Sequence, residues 1–552
     1  MKKAILSAIG VFLFSLACAT AVEESESTEQ KNSKFFYVSG DKIFNQQKEE
    51  FQIKGISFGN SVWENTALPS KTHHTEDSYK EIAMLGFNSV RFYLNYKFFE
   101  DDEKPYKYKQ SGFNWLDKNI EWAKKYNIKL ILNMHVPQGG VQSQGEGMKL
   151  WTVKSNQERL SSLWKEIAER YADEATIIGF GLINEPIIPY ESTIKKSIDT
   201  YRRYIKDLVK IIREVDKNHI FFIENPLSIK NMKTGEMIYN DHKEFNQFLI
   251  DDKNVVYEFH DYSPYSFTHQ DTEWANTKGI VKYYPSSQII SFDSDNEWIG
   301  CQKADKTTNS KNGWVYYESK PVTKTDEYNL GKITCQVLGT GKSGIVYFDE
   351  IKVTKYDKKG IATTHILVNP IEKSELWFWS KSKSGSYGSS DKVGFNDKSS
   401  MYIKGVTDDA NFAGKVFELE EGCSYVISAW VKRENCKAGT ISNPRIDFIN
   451  ASNVQSFNKD YMESSLKRYI EFYNDNNVPV YLGEFGVVSG AFAGNRGALQ
   501  WVRDVIDLCK KYEVNFNYHT YHEVSFGLYM NSDYELPDKL NKKLAKLFKE
   551  IL

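Results

Sequence analysis

The sequence predicts an α/β protein: a (β/α)8 barrel with an all-β sandwich inserted after the sixth barrel strand. Three observations predict it. Short, apolar, β-rich runs alternate with helix-patterned segments over the first half of the chain. Between residues 287 and 455 the alternation stops, and Gly, Ser, Lys, Asp and Thr separate short strands with no long helical pattern. The alternation then resumes to the end of the chain. Strands that alternate with amphipathic helices form parallel sheets covered on both faces. Six strands before the interruption and two after it give the eight that close a barrel.

The elements follow in order. "FQIKGISF" (51–58), "NSVRFYL" (88–94), "IKLILNMH" (128–135), "IIGFGLINE" (177–185), "IFFIEN" (220–225) and "VVYEFH" (255–260) read as strands. Helices are expected over 77–85, 115–126, 156–172 and 194–215. In the last of these, "DTYRRYIKDLVKIIREVDKN" spaces its apolar residues three and four apart, the signature of one buried face. After the interruption come a helix over 459–474, the strand "VPVYLGEFG" (478–486), a helix over 496–511, the strand "VNFNYHTY" (514–521) and a helix over 537–551. The domains expected are therefore 35–286 with 456–552 for the barrel, and 287–455 for the insert.

The N-terminus reads as an export signal. Lys2 and Lys3 precede an apolar run of 14 residues, Ala4 to Ala17, short for a membrane span. Two processing readings stand. Ala19-Thr20-Ala21 offers a small-residue site that makes 1–21 a signal peptide; Leu16-Ala17-Cys18 resembles a lipoprotein box, with a lipid anchor at Cys18. Either makes the protein secreted or an outer-surface lipoprotein. Residues 22–34 are a polar tether without apolar content to fold on.

With 71 Lys and Arg against 73 Asp and Glu, the net charge of −2 excludes the basic footprint of a nucleic-acid binder. Of six cysteines, Cys301, Cys335, Cys423 and Cys436 fall in the insert, where export permits disulfides and free buried thiols are the alternative. No Cys/His cluster has metal-ligand spacing, and no phosphate loop or nucleotide motif occurs, so neither metal nor cofactor is expected. The 14% aromatic content suits a core, and also flat ring faces that stack on sugar rings.

Active sites of such barrels lie at the C-terminal strand ends. Those ends carry Arg91, His135, Asn184, Glu185, His260, Tyr262, Glu484, Tyr518, His519 and Tyr521. Each alone is an ordinary loop residue. Together they place two carboxyls, on strands four and seven, across one mouth. Such a pair cleaves glycosidic bonds when one is protonated and the other ionised. Arg91 is expected to favour the ionised form of Glu484, leaving Glu185 to hold the proton.

"GFGLINEP", "FNSVRFYL", "LILNMHVPQGG", "YEFHDYSPYSFTHQ" and "VYLGEFG" together resemble glycoside hydrolase family 5, in the clan of retaining (β/α)8 glycosidases that use two glutamates. The resemblance covers roughly 35–286 and 459–552. It implies Glu185 as general acid/base and Glu484 as nucleophile. It also implies Asn184 on the sugar 2-hydroxyl, Arg91 and Tyr262 orienting the nucleophile, and His135 and His260 lining the cleavage subsite. The family usually ends strand eight in a tryptophan platform; "NFNYHTYHE" has none, leaving Tyr518 or Tyr521 for that role. Trp63 and Trp151 are further platforms or core residues. In "QGGVQSQGEGMKLW" (138–151), Gly139 and Gly140 leave room for a polysaccharide, or make a lid.

The implied activity is an endo-β-1,4-glucanase on β-glucan. Other targets are β-mannan, xyloglucan, β-1,3-glucan or a β-glucoside; a different class is a non-catalytic glycan-binding surface protein. The insert resembles a carbohydrate-binding β-sandwich with its closing strand, "GIVYFDEIKV", placed before its opening signature, "ILVNPIEKSELWFW", as in a circular permutation. Trp377 and Trp379 share one face of an extended segment and are its sugar-binding candidates. The pair Asp349-Glu350 is a weak calcium signal.

Overall fold

The computed structural model describes residues 34–63, 68–71, 73–143, 147–239, 245, 247–291, 296–303, 310–325, 327–368, 376–450, 453–522, 526–529 and 540–552. The expected signal, Cys18 and all but the last residue of the tether lie outside the described residues.

Eight parallel strands close a barrel: Lys54–Phe58, Ser89–Asn95, Lys129–Val136, Ile177–Gly181, Ile220–Glu224, Val255–His260, Val480–Phe485 and Asn515–Tyr518. Each pairs with its neighbours in chain order, and the eighth pairs with the first. Helices Glu76–Met84, Gln110–Lys125, Lys154–Tyr171 and Ile194–Arg213 follow strands one to four, close to the expected spans. In the last, Ile198, Tyr201, Ile205, Leu208 and Ile212 make the buried stripe that its spacing predicts.

The floor of the barrel is apolar: Ile53, Ile131, Ile178, Ile220, Phe222, Val256 and Tyr481 form one buried cluster. Side chains alternate along a strand, so the inward set of strand two continues upward as Arg91 and Tyr93, while Val90, Phe92 and Leu94 turn to the other face. An apolar floor under a polar upper layer puts the chemistry at the C-terminal mouth.

The chain forms two compact units. The first holds the residues up to Asp261, Ser465–Gly486 and Val505–Leu552, including all eight barrel strands. The second holds Tyr262–Ser464 and Val487–Asp504. Internal bonds tie the loop segments of this second unit together: Tyr284 donates to Asp504 at 2.7 Å and Arg496 to Gln270 at 3.0 Å.

Two antiparallel sheets of the second unit pack over one apolar core that includes Ile333, Val337, Phe348, Val353, Ile403, Phe412, Ile427 and Phe448. Both sheets fall in the stretch where the sequence predicts short strands without long helices. Cys301, Cys335, Cys423 and Cys436 are free thiols, and burial pushes those of Cys335 and Cys436 upward. They act as small apolar side chains rather than staples. At the Asp349-Glu350 pair, the Asp349 carboxylate accepts from the backbone N–H groups of Glu350 and Phe395, so its oxygens brace a loop.

Candidate active site

Arg91 is the hub of the barrel mouth. It is completely buried, yet it carries a charge, which only paired anions can stabilise there. Its Nη1 donates to Glu484 Oε1 at 2.6 Å, its Nε lies 2.8 Å from Glu258 Oε1, and its Nη2 donates to Asn184 Oδ1 at 2.8 Å. Tyr93 donates to the same Glu484 oxygen at 2.6 Å and stacks on His135 at 3.9 Å between ring centres. Two strong donors therefore occupy Oε1 of Glu484. Its Oε2 faces the ring nitrogens His260 Nδ1, 3.7 Å away, and His519 Nδ1, 4.0 Å away.

Glu185 stands across from it. Its Oε1 meets His260 Nδ1 at 2.9 Å, so one imidazole nitrogen faces both carboxyls. The backbone of Glu185 has φ of +41°, a left-handed conformation that costs a residue with a Cβ. A bond from its N–H to Glu224 Oε2 at 2.7 Å holds it there. Pro186 follows and ends the run, as the sequence implies. Glu224 closes strand five and is itself buried; the hydroxyl of Tyr201 donates to its carbonyl.

Charge balance assigns the protons. Burial alone would raise Glu484, but the positive field of His260, His519 and Arg91 outweighs it and holds the carboxyl well below the usual range. Burial works against a charge on His260, but the carboxyls around it, Glu224 and Glu484 first, carry it well above an ordinary histidine. Burial lifts Glu224 well above the carboxylate range, with Glu258 and Glu185 adding to it against the pull of His260. Burial keeps His135 well below its usual value, so it is neutral. The positive charge of Arg91 and His260 thus faces an ionised Glu484, while Glu224 is held toward its protonated form.

Glu185, Glu224 and His260 present donor atoms within 4.8 Å of one another, the one group of metal-ligand spacing among the described residues. The same three groups also make an acid–base set, with His260 Nδ1 against Glu185 Oε1 at 2.9 Å. Gly483, just before Glu484, is dictated by packing: a Cβ there would lie 2.0 Å from Glu258 Oε1.

Arg91, His135, Asn184, Glu185, His260 and Glu484 converge as the sequence predicts. Trp63 joins them, edge-on to Tyr93, His135 and His519 at 5.8, 5.0 and 6.1 Å, and half-buried. Three readings need correction. Tyr518 faces away from the barrel interior, fully buried against Phe485 and Phe548, because alternation from Asn517 turns His519 inward instead. Tyr521 is buried and donates to Glu81 at 2.8 Å. Neither is a sugar platform. Trp151 packs on Tyr201 and Tyr204 of the fourth helix, its indole N–H bound to Gln142 at 2.9 Å. Gly139, at φ +104°, is packed against its own loop, where a Cβ would lie 2.3 Å from the Leu150 nitrogen, so packing and conformation both require glycine there. Tyr262 belongs to the second unit, its ring edge-on to His269.

Sequence reading missed three residues: Tyr93, Glu224 and Glu258. Signals for them existed. Tyr93 and Glu258 sit two positions from Arg91 and His260 on the same strand faces, and Glu224 ends "IFFIEN" as Glu185 ends strand four.

Residues 44–282 match the family described as Cellulase (glycosyl hydrolase family 5). Endoglucanase C of Acetivibrio thermocellus is 32% identical over 228 residues, 40% of this chain and 61% of that protein. Cellodextrinase A of Ruminococcus flavefaciens is 31% identical over 40% of this chain and 62% of its own length. A beta-xylosidase of Phanerodontia chrysosporium is 31% identical over 33% and 36%. The chain thus spans about three-fifths of the first two relatives. Among solved structures, endoglucanase Cel5A from the hyperthermophilic Thermotoga maritima aligns with a TM-score of 0.44 at 16% identity, over 90% of this chain and 96% of that one.

Proposed function

We propose that the chain, whose residues 44–282 match the family described as Cellulase (glycosyl hydrolase family 5), is a retaining glycosidase of β-linked glucan, acting within β-1,4-linked chains. The observation that carries this reading is the single nitrogen, His260 Nδ1, that faces Glu185 at 2.9 Å and Glu484 at 3.7 Å. It brings two carboxyls to one pocket, with Glu484 held ionised. The names of the endoglucanase and cellodextrinase relatives support the substrate class.

The chemistry is a double displacement. Glu185 gives its proton to the glycosidic oxygen while Glu484 attacks the anomeric carbon. The bond to the leaving sugar breaks as a bond to Glu484 forms. Because Oε1 is held by Arg91 and Tyr93, Oε2 is the attacking atom. Glu185, now a carboxylate, takes a proton from water, and that water displaces Glu484. His260 carries charge between the two carboxyls and steadies each change of state. Asn184, its oxygen taken by Arg91, turns its amide N–H groups to the sugar 2-hydroxyl. Trp63 supplies the sugar platform in place of the strand-eight aromatic. Lys2, Lys3 and the apolar run after them support export, either free or anchored at Cys18.

Reducing-sugar release across a panel of β-glucan, β-mannan, xyloglucan and β-1,3-glucan tests the proposal. Wild type is expected to act on β-1,4-glucan and give products of mixed length. Glu484→Gln should reduce turnover by roughly 10⁴-fold, the scale for removing one member of a catalytic unit. A wild-type protein inert on every glycan yet retaining one would instead be a binding protein.

A further inference from the structure

We propose that the outer face of the five-stranded sheet in the insert is a binding groove for an extended, neutral β-linked glucan chain. The sheet runs Asn296–Gly300, Ile441–Ile449, Leu330–Leu338, Asp409–Glu418, Leu376–Ser380. Ile299, Ile446, Phe448, Ile333, Cys335, Phe412 and Phe378 point into the sandwich core. Their neighbours along each strand therefore share the opposite face.

The register shows what that face carries. Trp298 pairs with Asp447, which pairs with Lys332. One pair along, Arg445 pairs with Thr334, Thr334 with Ala413, and Ala413 with Trp377. Then Gln336 pairs with Asn411, and Asn411 with Trp379. Tryptophan occupies both edge strands; between them the middle strands carry Asp447, Lys332, Arg445, Thr334, Gln336 and Asn411, with the apolar Leu330, Val416 and Ile449 beyond them at one end. Trp298 is 56% exposed, Trp377 43% and Trp379 48%, which is unusual for the largest apolar side chain three times on one face.

The polar middle is already organised. Asp447 accepts from Thr334 at 2.7 Å and pairs with Arg445 Nε at 2.7 Å; Arg445 Nη1 donates to Gln336 at 3.1 Å. Gln336 in turn donates to both oxygens of Asp409, at 2.9 and 3.0 Å. The Arg445 guanidinium lies 5.2 Å from the centre of the Trp298 ring, and the Lys332 ammonium 5.6 Å from that of Trp377, so the indoles are held by cations. Fixed rings lose little freedom on binding, which favours recognition.

This chemistry selects its occupant. Indole faces match the C–H faces of equatorially substituted sugar rings, and a network of amides, carboxylates and cations matches ring hydroxyls. Between the tryptophans the two cations, Lys332 and Arg445, offset the two anions, Asp447 and Asp409, so this stretch of the face favours no charged ligand. Five strands at about 4.8 Å spacing span about 19 Å between the edge tryptophans, room for several sugars and not for one. Trp298 and the polar floor extend the role expected of Trp377 and Trp379 alone. The inference does not depend on the reaction proposed for the barrel.

Affinity electrophoresis of the full chain through gels containing hydroxyethylcellulose tests it, with Glu484→Gln as the parent so that hydrolysis plays no part. The parent is expected to be retarded, and not retarded by polygalacturonate. Trp298→Ala, Trp377→Ala and Trp379→Ala combined should weaken the apparent affinity by at least about tenfold, as three lost ring contacts imply. The corresponding Tyr triple variant, which keeps flat rings, should retain most of the retardation. An unretarded parent, equal retardation by polygalacturonate, or an alanine variant within about twofold of the parent would overturn the proposal; so would a folded Tyr variant that behaves as the alanine one. Failure of the hydrolysis reading would leave the retardation unchanged.

Discussion

At the barrel mouth, Arg91, Glu258, Glu484 and His260 are all at least nine-tenths buried, and they sit in contact with one another. On the five-stranded sheet of the insert, three tryptophans stand open to water over a polar floor. The difference is one of chemistry required. A bond-breaking site must fix protonation states, and only burial with opposed charges moves them far from their solution values. A surface that holds a polymer has no proton to place. It needs flat area and hydrogen-bonding groups set in advance. Loss of one buried charge at the mouth should therefore disturb every neighbour, whereas loss of one tryptophan on the sheet should subtract only its own contact.

The contrast is tested most sharply at Glu224, after the Glu484 variant described above. If Glu224 is a protonated carboxyl that holds the left-handed Glu185 backbone, Gln should replace it well. Glu224→Gln is expected to keep kcat within about threefold, whereas Glu224→Ala should lose roughly 10–100-fold, the scale of a mispositioned catalytic group. Parallel kinetics of the two variants check this. Equal losses would mean that Glu224 acts through its charge.

The opposed shifts of His260 and Glu484 predict the pH course of stability. His260 is raised, so its contribution is complete below its unfolded value of about 6.5 and is lost as pH rises through the folded value. Glu484 is lowered, so its contribution is complete above about 4.3 and is lost as pH falls through the folded value. The gap in melting temperature between wild type and His260→Asn should therefore narrow on the alkaline side, and the gap for Glu484→Gln on the acid side. Thermal melts over a pH series measure both, and constant gaps would contradict the charge assignment.

The smallest effect is expected at Tyr521. Its hydroxyl is bonded to Glu81, so Tyr521→Phe should cost about 1 kcal/mol of stability, the net worth of one hydrogen bond, with KM for a β-glucan unchanged. A raised KM would restore the platform reading.

The barrel was legible because its helices and strands keep their own periods, and because each strand ends where an apolar run meets a polar residue. Arg91, Asn184, Glu185, His260 and Glu484 lie at such ends. Tyr518 was misread because a strand end alone does not say which way a side chain points. The inward parity of Asn515 and Asn517 settles it for His519, and only the closed sheet shows that parity. Trp298 could not be joined to Trp377 from sequence. They lie on opposite edge strands, and three strands that are not consecutive in the chain separate them.

Trapping with a 2-deoxy-2-fluoro cellobioside that bears a good leaving group, followed by peptide mass analysis, bears most directly on the proposed reaction. The fluorine slows the second displacement, so the glycosyl-enzyme should accumulate with one cellobiosyl unit on the peptide containing "VYLGEFG", at Glu484. Turnover without any adduct, or an adduct on Glu185 or Glu224, would contradict a nucleophile at Glu484.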